Sequence, residues 1–377
     1  MRVEQQSWSA RGSWSADVGP RCEDAQLVLA FGATRRIRDA GVWYELRARW
    51  PNARIVGCST AGEIAETHVL DDSVVATALS FERSRAQAVT VPIAGAEHSA
   101  SAGRALAAQL QHSGLRHVLV LSDGLRVNGS ELVRGLSEGL PEGVAVTGGL
   151  AGDGSRFEQT AVGLDERPSG DRVVAVGLYG ASLHVGCGSL GGWDPFGPER
   201  LVTRAKGSVL YELDGQPALG LYKRYLGHHV AQLPASGLLF PLSVRHGERD
   251  GVVRTILAVD EREQSLTFAG EVPEGSFARL MRANSERLVE GAAGAALTSA
   301  GALRGQAPDV AILISCVGRK LLLQQRIEEE VEIVRQTLGR RPVLTGFYSY
   351  GEIAPFTPTA RSELHNQTMT ITTLLED

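Results

Sequence analysis

One segment near the N-terminus carries residue types that could bind a small polar molecule. It has the pattern Gly-x-x-x-x-Gly-Glu-Ile, and its candidate ligand contacts are Gly57, Cys58, Ser59, Thr60, Gly62 and Glu63. The two hydroxyls can donate and accept hydrogen bonds, and the carboxylate can accept them from an ammonium group. Backbone N–H groups of a glycine-rich turn can also surround an anion. These residue types predict a binding site at this first glycine turn (residues 57–64).

A second copy of the pattern lies near the C-terminus and carries two tyrosines. The candidate contacts of this second glycine turn (residues 346–353) are Tyr348, Tyr350, Gly351 and Glu352. Tyrosine rings offer apolar walls that end in a polar hydroxyl, and Glu352 repeats the acceptor of the first copy. We therefore expect a ligand to sit near both turns.

A third copy, one residue shorter, carries an aspartate where the other two carry a glutamate. This third glycine turn (residues 146–153) ends in Gly152 and Asp153, and Asp123 follows a separate buried strand. Ligands of parallel α/β sheets bind beyond the carboxyl ends of the strands. Gly152, Asp153 and Asp123 are therefore further expected ligand contacts.

A purely structural role for these turns is the alternative interpretation. Glycine permits a sharp turn or a positive φ angle, and Glu63 would then cap the turn without touching a ligand. The repetition of the same glycines, glutamate and isoleucine near the C-terminus favours a shared binding role.

Catalytic motifs are weak, and we expect no enzymatic activity. Cys58 heads a glycine-rich turn where a thiolate could be stabilised, so a Cys58-dependent transferase or hydrolase is an alternative. No sequence signature marks a histidine as its base, and the second glycine turn has Phe347 at this position. No Gly-x-Ser-x-Gly sequence lies at a predicted strand-to-helix turn, where a serine hydrolase needs its nucleophile. No glycine motif connects a predicted strand to a predicted helix in the way that dinucleotide or nucleoside triphosphate binding requires.

Spacing marks no metal or haem ligands. The four cysteines form no Cys-x-x-Cys pair, and the nine histidines are scattered. Structural zinc needs closely spaced cysteine and histidine ligands, so no metal site and no cofactor are predicted. A single histidine can hold haem iron, which keeps a haem-based sensor as an alternative without singling out a residue.

Composition and charge narrow the class of protein. The chain has 377 residues, 43% of them hydrophobic and 21% charged, with a net charge of −5. This balance argues against nucleic acid and anionic membranes as partners. The N-terminus lacks the apolar core of a signal peptide, and no apolar stretch is long enough to predict membrane insertion. A cytoplasmic protein is expected.

The elements that position the turns recur three times. The predicted strands and helices of the three units are, in order, 25–32, 36–49, 53–57 and 73–81; 117–124, 129–140, 143–149 and 172–180; 309–318, 326–338, 341–346 and 366–375. Strand–helix–strand connections give parallel pairs. The sequence therefore predicts an α/β fold of repeated strand–helix–strand–turn–strand units in mixed, largely parallel sheets.

Residues 200–300 depart from this pattern and predict a β-rich insert in the C-terminal half. The predicted strands are 237–245, 251–259 and 265–272, and a long helix is predicted over 277–297. This region could carry a surface for a partner.

Several motifs resemble those of the FIST sensory domains. The segment RIVGCSTAGEI (54–64) and the third glycine turn resemble the N-terminal half of the family, and segments 210–227, 270–281 and 343–356 resemble the C-terminal half. The resemblance implies a FIST N-type α/β domain over 25–200 and a FIST C-type α/β domain over 201–377. The polar residues 1–24 are expected to form a flexible lead-in.

The resemblance also implies a function. FIST domains are similar to bacterial input modules of signal transduction that bind small molecules, amino acids among the proposals, and some bind haem and respond to nitric oxide. They are found fused to, or encoded near, histidine kinases and other output proteins. Since the sequence ends at Asp377 without an output domain, we expect the signal to reach a separate partner, such as a histidine kinase.

Overall fold

A computed structural model describes residues 1–9, 12–15, 18–233, 235–247, 251–357 and 360–377 as a mixed α/β fold. None of the helices in these ranges is both long and apolar enough to cross a membrane. The first part of the chain forms β1 (Arg2–Trp8), β2 (Leu27–Gly32), α1 (Thr34–Ile37), α2 (Ala40–Arg49), β3 (Arg54–Ser59), β4 (Glu63–Ala65), β5 (His68–Leu70) and β6 (Val74–Ser80).

The second part has a helix between its first two strands and a single helix between its next two. It forms β7 (Arg85–Pro92), α3 (Ser99–Gln109), β8 (Leu115–Ser122), α4 (Gly129–Gly139), β9 (Ala145–Leu150), β10 (Val162–Leu164) and β11 (Arg172–Tyr179).

The third part is interrupted by the insert. It begins with β12 (Leu183–Leu190), and the insert then forms β13 (Trp193–Pro195), β14 (Arg200–Lys206), β15 (Val209–Leu213), β16 (Gln216–Pro217), α5 (Ala218–Leu226), β17 (Leu242–Arg245), β18 (Val252–Arg254), β19 (Ile256–Asp260), β20 (Ser265–Phe268) and β21 (Phe277–Ala283). The chain ends with α6 (Ser285–Gly301), β22 (Val310–Cys316), α7 (Val317–Leu323), α8 (Ile327–Leu338), β23 (Val343–Ser349), β24 (Gly351–Pro355), β25 (Ser362–His365) and β26 (Met369–Glu376).

Local sequence explains where the central elements form. The apolar runs of β2 and β22 are buried along their whole length, as expected for strands that are covered on both faces. Helices α2, α4 and α6 begin after Asp39, Asn128 and Asn284, whose side chains accept hydrogen bonds from N–H groups of the first turn. Such caps satisfy donors that have no partner within the helix.

Three sheets outside the insert share one arrangement. Their orders are β1-β6-β2-β3-β10, β7-β11-β8-β9-β24-β25 and β12-β26-β22-β23-β4-β5. The pairs β2–β3, β8–β9 and β22–β23 are parallel, and the other described pairs are antiparallel. The prediction of mixed sheets is confirmed, but the expectation of largely parallel sheets is wrong. A helix crossover connects one strand pair in each sheet, and the remaining neighbours run in opposite directions.

Each glycine turn sends the following strand into a neighbouring sheet. Strand β4 pairs with β23, β24 pairs with β9, and β10 pairs with β3. The three exchanges form a closed cycle that joins the three sheets. The predicted division between 25–200 and 201–377 is crossed by two of them, because β4 and β24 each pair with a strand from the other side.

The expectation of a flexible lead-in over residues 1–24 is wrong for Arg2–Trp8. Strand β1 pairs with β6 along its whole length, from Arg2 opposite Ser80 to Trp8 opposite Val74. The segment looks polar because Glu4 lies inside it, yet Glu4 is buried and accepts a 2.6 Å hydrogen bond from the Cys22 amide. Edge pairing to the first sheet therefore overrides the local composition.

The insert forms a nine-stranded sheet that includes β14, β15, β17 and β21, which agrees with its predicted β-rich character. The long helix predicted over 277–297 is wrong in its first part, because Phe277–Ala283 is strand β21. Exposed and buried side chains alternate at the start of this strand, and the helix begins only after the Asn284 cap. The strand that was predicted over 237–245 is confined to Leu242–Arg245.

Candidate functional site

A cavity of about 790 Å³ opens at the carboxyl ends of β2 and β3. Among the predicted contacts, Thr60, Gly62, Glu63 and Asp153 line this first cavity. Gly152 packs behind the wall, since its amide donates to the Ser59 carbonyl at 2.9 Å. The structure thus brings the first and third glycine turns together at one edge of the sheets.

Acidic groups at the mouth of the first cavity are already paired with cations. Asp72 accepts a 2.5 Å bond from Arg36 and a 3.3 Å bond from Arg35, and the Arg36 guanidinium holds the pKa of this carboxyl below its usual range. Asp71 receives a hydrogen bond from the Lys320 ammonium. These ion pairs neutralise the charges of Asp71 and Asp72 at the mouth of the cavity.

Two arginines in the cavity wall lack such partners. Arg38 and Arg167 line the cavity, and neither forms an ion pair with any residue that the structure describes. Arg156 lies 3.8 Å from Asp153 and is largely exposed. The wall therefore offers guanidinium groups that are free to pair with an anion.

Glu63 is buried in the cavity wall and held by its own turn. Thr60 donates its hydroxyl to one carboxylate oxygen, and Ser73 donates its hydroxyl to the other at 2.5 Å and its amide at 3.3 Å. Burial raises the pKa of Glu63 to about 7, although the bonds from Ser73 and Thr60 act in the opposite direction. These bonds engage both carboxylate oxygens, which supports the structural interpretation of this glutamate.

Glu352 is held by the same arrangement in the second glycine turn. Ser349 donates its hydroxyl at 2.6 Å, while Thr368 donates its hydroxyl at 3.0 Å and its amide at 3.2 Å. Burial raises the pKa of Glu352 to about 8. Glu352 does not line the first cavity, and Gly351 lies beside it in β24, paired with Leu150. The shared glutamate therefore fixes two equivalent turns.

The third glycine turn is not equivalent at its acidic residue. In the ladder of β10 and β3, Val162 lies opposite Cys58. In the ladder of β4 and β23, the equivalent position opposite Phe347 is occupied by Glu63. Asp153 instead precedes an additional loop and accepts bonds from the amides of Phe157, Glu158 and Gln159 at 2.8 to 3.0 Å. Asp153 is therefore not the structural equivalent of Glu63, although the sequence pattern aligns the two residues.

Tyr350 connects the second glycine turn to this loop. Its hydroxyl donates to the Asp153 carboxylate and accepts a 3.1 Å bond from the Asp153 amide, and its ring stacks on Phe157 at 4.2 Å between centroids. Burial opposes ionisation of Asp153, but the bonds from Tyr350 and the loop amides outweigh it and lower its pKa. Tyr350 thus fixes the position of Asp153, which lines the first cavity, although Tyr350 itself does not line it.

Tyr348 does not form a ligand wall. It is fully buried, and its hydroxyl donates to Glu330 at 2.7 Å. Glu330 in turn forms a buried ion pair with Arg319 at 2.8 Å. Tyr348 also joins two turns through its backbone, which donates to the Gly62 carbonyl and accepts from the Ala61 amide, both at 2.8 Å.

The remaining predicted contacts are also internal. The Cys58 thiol is fully buried, and burial raises its pKa well above the usual value. Ser59 accepts a 2.9 Å bond from the Ala161 amide, and Gly57 packs against the Trp43 ring. Asp123 accepts bonds from the amides of Leu125 and Arg126 at 2.8 Å. None of these four lines the first cavity.

Sequence reasoning missed the cations around the site. Lys320 of α7 donates a 3.0 Å bond to the Ala61 carbonyl and lies against Gly62, whose φ angle is +141°. This positive φ angle favours glycine at position 62, and a Cβ atom there would also force the Lys320 ammonium to move. Arg38 follows β2 as part of the Arg-Arg-Ile-Arg run, and this basic run is the sequence signal that indicates cations near the end of the strand.

Sequence profiles of known families match nearly all of these elements. The FIST N domain matches residues 26–216 and the FIST C domain matches residues 218–355. The chain belongs to the FIST family. FIST domains are generally sensory domains of signal transduction, so this FIST protein belongs to that broad functional class, and the resemblance noted from its motifs is confirmed.

The similar proteins found for this FIST protein are uncharacterized. One from Mycobacterium bovis is 28% identical over 278 residues, which cover 69% of this chain and 67% of the relative. Another, from Mycobacterium tuberculosis, is 26% identical over 249 residues, or 63% of each chain. Among solved structures, the cyanuric acid hydrolase from A. caulinodans reaches a TM-score of 0.18 at 11% identity and covers 78% of this chain and 99% of its own. That TM-score carries no argument about fold or function.

Haem ligation in this FIST protein stays a hypothesis without a chosen ligand. His117 and His365 are buried, and burial lowers their pKa values to about 3 and about 4. His117 shares a 2.7 Å hydrogen bond with Thr147, and His365 contacts the Ala354 carbonyl at 3.0 Å. None of the nine histidines lines the first cavity, and the described residues contain no group of three or more His, Cys, Asp or Glu that could hold a metal ion.

Proposed function

We propose that this FIST protein is a cytoplasmic sensory protein without enzymatic activity, and that it binds a small anionic or zwitterionic metabolite in the first cavity. An amino acid is the simplest such molecule. The observation that carries the proposal is that two arginines of the wall have no acidic partner, whereas the aspartates at its mouth are paired. Asp71 and Asp72 are paired with cations, while Arg38 and Arg167 have no acidic partner among the described residues.

The chemistry of the wall suggests how a ligand would be oriented. A carboxylate would accept bonds from the Arg38 and Arg167 guanidinium groups, which suit planar anions. The exposed Glu158, which also lines the cavity, could accept a bond from an ammonium group. In this arrangement Glu63 shapes the wall and holds its turn, rather than pairing with the ligand directly.

A route for the signal follows from the backbone contacts of the wall. Ala61 and Gly62 are bonded to the backbone of Tyr348, so a shift of the first turn would move the second. Binding changes the balance of two conformations only if the ligand has different affinities for them. We propose that this change is read by a separate output protein, such as a histidine kinase.

A ligand screen with matched variants tests the proposal. Isothermal titration calorimetry would measure amino acids and, for each hit, its methyl ester, which lacks the anionic group. We expect a hit to lose about tenfold or more in affinity as the ester, and in each of the variants Arg38→Gln and Arg167→Gln, because each loses a charge-assisted bond. Arg340→Gln is the control, since Arg340 is exposed and does not line the cavity. A hit that binds both arginine variants as tightly as the wild type contradicts the site.

A further inference from the structure

A second cavity, of about 420 Å³, lies between the insert and the three repeated sheets. Helix α4 and strand β25 form one side, and the insert forms the other through β17, β18 and the turn after β20. Its wall includes the side chains of Ser130, Val244, Val252, Arg254, Pro273 and Leu364. This cavity shares no lining residue with the first cavity.

Arg254 is an unusual residue to find in such a wall. It is 7% exposed, and it forms no ion pair with a described residue. Its Nε donates to the Glu271 carbonyl at 3.1 Å and its Nη1 donates to the Leu364 carbonyl at 2.9 Å. A guanidinium has five N–H donors, so most of its donors have no described protein acceptor. Burying a cation without an ionic partner is costly.

The backbone around Arg254 is shaped to keep the guanidinium in place. A Cβ atom at Gly270 would lie 2.8 Å from the Arg254 Nε and 2.9 Å from its Cζ. Only a residue without a side chain allows this contact. Because Leu364 belongs to β25 while Arg254 belongs to β18, the arginine also ties the insert to the repeated sheets.

Ser130 provides a second polar group without a partner. Its hydroxyl oxygen is buried and has no hydrogen bond among the described residues, although it lines the same cavity as Arg254. Native proteins rarely leave a buried hydroxyl unpaired. The cavity wall therefore contains a cation with spare donors, and a hydroxyl with unused hydrogen-bonding capacity lies buried within that wall.

The other lining residues limit the kind of anion. Glu138, Glu271 and Glu363 face the cavity together with Arg134 and Arg361, and Arg134 is paired with Glu138. With Arg254 included, the wall has no excess of positive charge that would favour a multiply charged ion such as phosphate. Val244, Val252, Pro273 and Leu364 add an apolar surface. A molecule with one negative charge and an apolar body matches both properties.

We propose that the second cavity is a separate ligand site that binds a small amphiphilic monocarboxylate, with its carboxylate on the Arg254 guanidinium and its apolar body against Val244, Val252 and Leu364. The site lies where the insert meets the repeated sheets, so its occupation strengthens that contact. It is independent of the first cavity, and either site can exist without the other.

Calorimetry on the full chain tests this proposal with hexanoate and hexanamide as the probes. They have nearly the same size, and only hexanoate carries a charge. We expect hexanoate to bind about tenfold or more tightly than hexanamide, because its bond to Arg254 is charge-assisted. Equal affinities, or no binding of hexanoate, would overturn the proposal.

Two variants of Ser130 keep the test independent of folding. Ser130 lies in the first turn of α4, where an acidic side chain is favourable for the helix. Ser130→Asp places a negative charge in the cavity and is expected to weaken hexanoate binding about tenfold or more, whereas the neutral Ser130→Asn keeps it within about threefold. Identical effects of the two variants would contradict an anion site.

Variants of the two arginines locate the probe. Arg254→Lys keeps the charge but not the fork of donors, and we expect it to weaken hexanoate binding about tenfold. Arg38→Gln in the first cavity should leave hexanoate binding unchanged. If Arg38→Gln abolishes hexanoate binding while Ser130→Asp does not, the probe occupies the first cavity and the second site is refuted, without any consequence for the amino-acid screen.

Discussion

Glu63 lies directly opposite Phe347 in the antiparallel ladder of β4 and β23. Glu63 belongs to the first glycine turn, and Phe347 belongs to the second. The first glycine turn of the N-terminal half is therefore completed by a strand of the C-terminal half. Because β24 also pairs with β9, each half supplies a strand to a sheet of the other half.

We expect a fragment of residues 1–200 to fold poorly by itself. It would leave β4 without β23 and β9 without β24, and it would expose the buried side chains that face β22 and β26. Exposed strand edges of this kind promote aggregation. Size-exclusion chromatography and circular dichroism would compare the fragment with the full chain. A monomeric fragment with a cooperative thermal transition would contradict the strand exchange.

Glu63 and Glu352 should make the protein less stable as the pH rises. Both carboxyls have folded-state pKa values raised by burial, to about 7 and about 8. The native state therefore holds protons that the unfolded chain releases above about pH 4.5, and the contribution of these groups is lost as the pH passes through the folded-state values. The slope is on the order of 1.4 kcal/mol per pH unit for each retained proton.

Urea unfolding between pH 4.5 and 8.5, a window of about four units around these pKa values, would measure this effect. We expect the double variant Glu63→Gln/Glu352→Gln to show a flatter dependence of the free energy of unfolding on pH than the wild type. Glu142→Gln is the control, since Glu142 is exposed. Parallel curves for the wild type and the double variant would show that both glutamates are ionised in the native state.

Tyr350→Phe should loosen the loop that follows Asp153. The change removes the hydroxyl that bonds to the Asp153 carboxylate and the Gly154 carbonyl, and a lost bond of this type costs about 1–3 kcal/mol. Hydrogen exchange of the amides at 157–159 is expected to accelerate about tenfold, and ligands of the first cavity should bind more weakly. Tyr348→Phe serves as the control, because its hydroxyl bonds to Glu330 instead. Equal exchange at 157–159 in both variants would contradict this role of Tyr350.

Cys58 should be unreactive in the native protein. Its thiol is fully buried and its pKa is raised, so the reactive thiolate is scarce at neutral pH. Alkylation by iodoacetamide at pH 7, followed by peptide mass spectrometry, is expected to modify Cys58 at least about 100-fold more slowly than in urea, as its reactivity requires thiolate and access. The Cys58→Ser variant identifies the modified peptide. Rapid alkylation of the native protein would revive the hypothesis of a thiol-dependent enzyme.

The sequence by itself determined the central strands, most helices outside the insert, the three glycine turns and the family. Apolar runs such as that of β22 are buried wherever they pack, so their pattern predicts a strand without knowledge of its neighbours. Helix caps such as Asn128 act within one turn of the chain. These features depend on interactions between residues that are close in sequence.

The tertiary structure decided which glycine turns lie close together and which of their side chains line a cavity. Glu63 and Glu352 are both fully buried, yet the turn that contains Glu63 lines the first cavity and the turn that contains Glu352 does not. The alignment of Asp153 with Glu63 failed because the strand register, and not the spacing from the glycine, sets equivalence. Arg38 and Arg167 line the first cavity, and Lys320 bonds to the first glycine turn. These residues come from segments far apart in the chain, and local patterns cannot predict contacts that depend on how whole sheets pack.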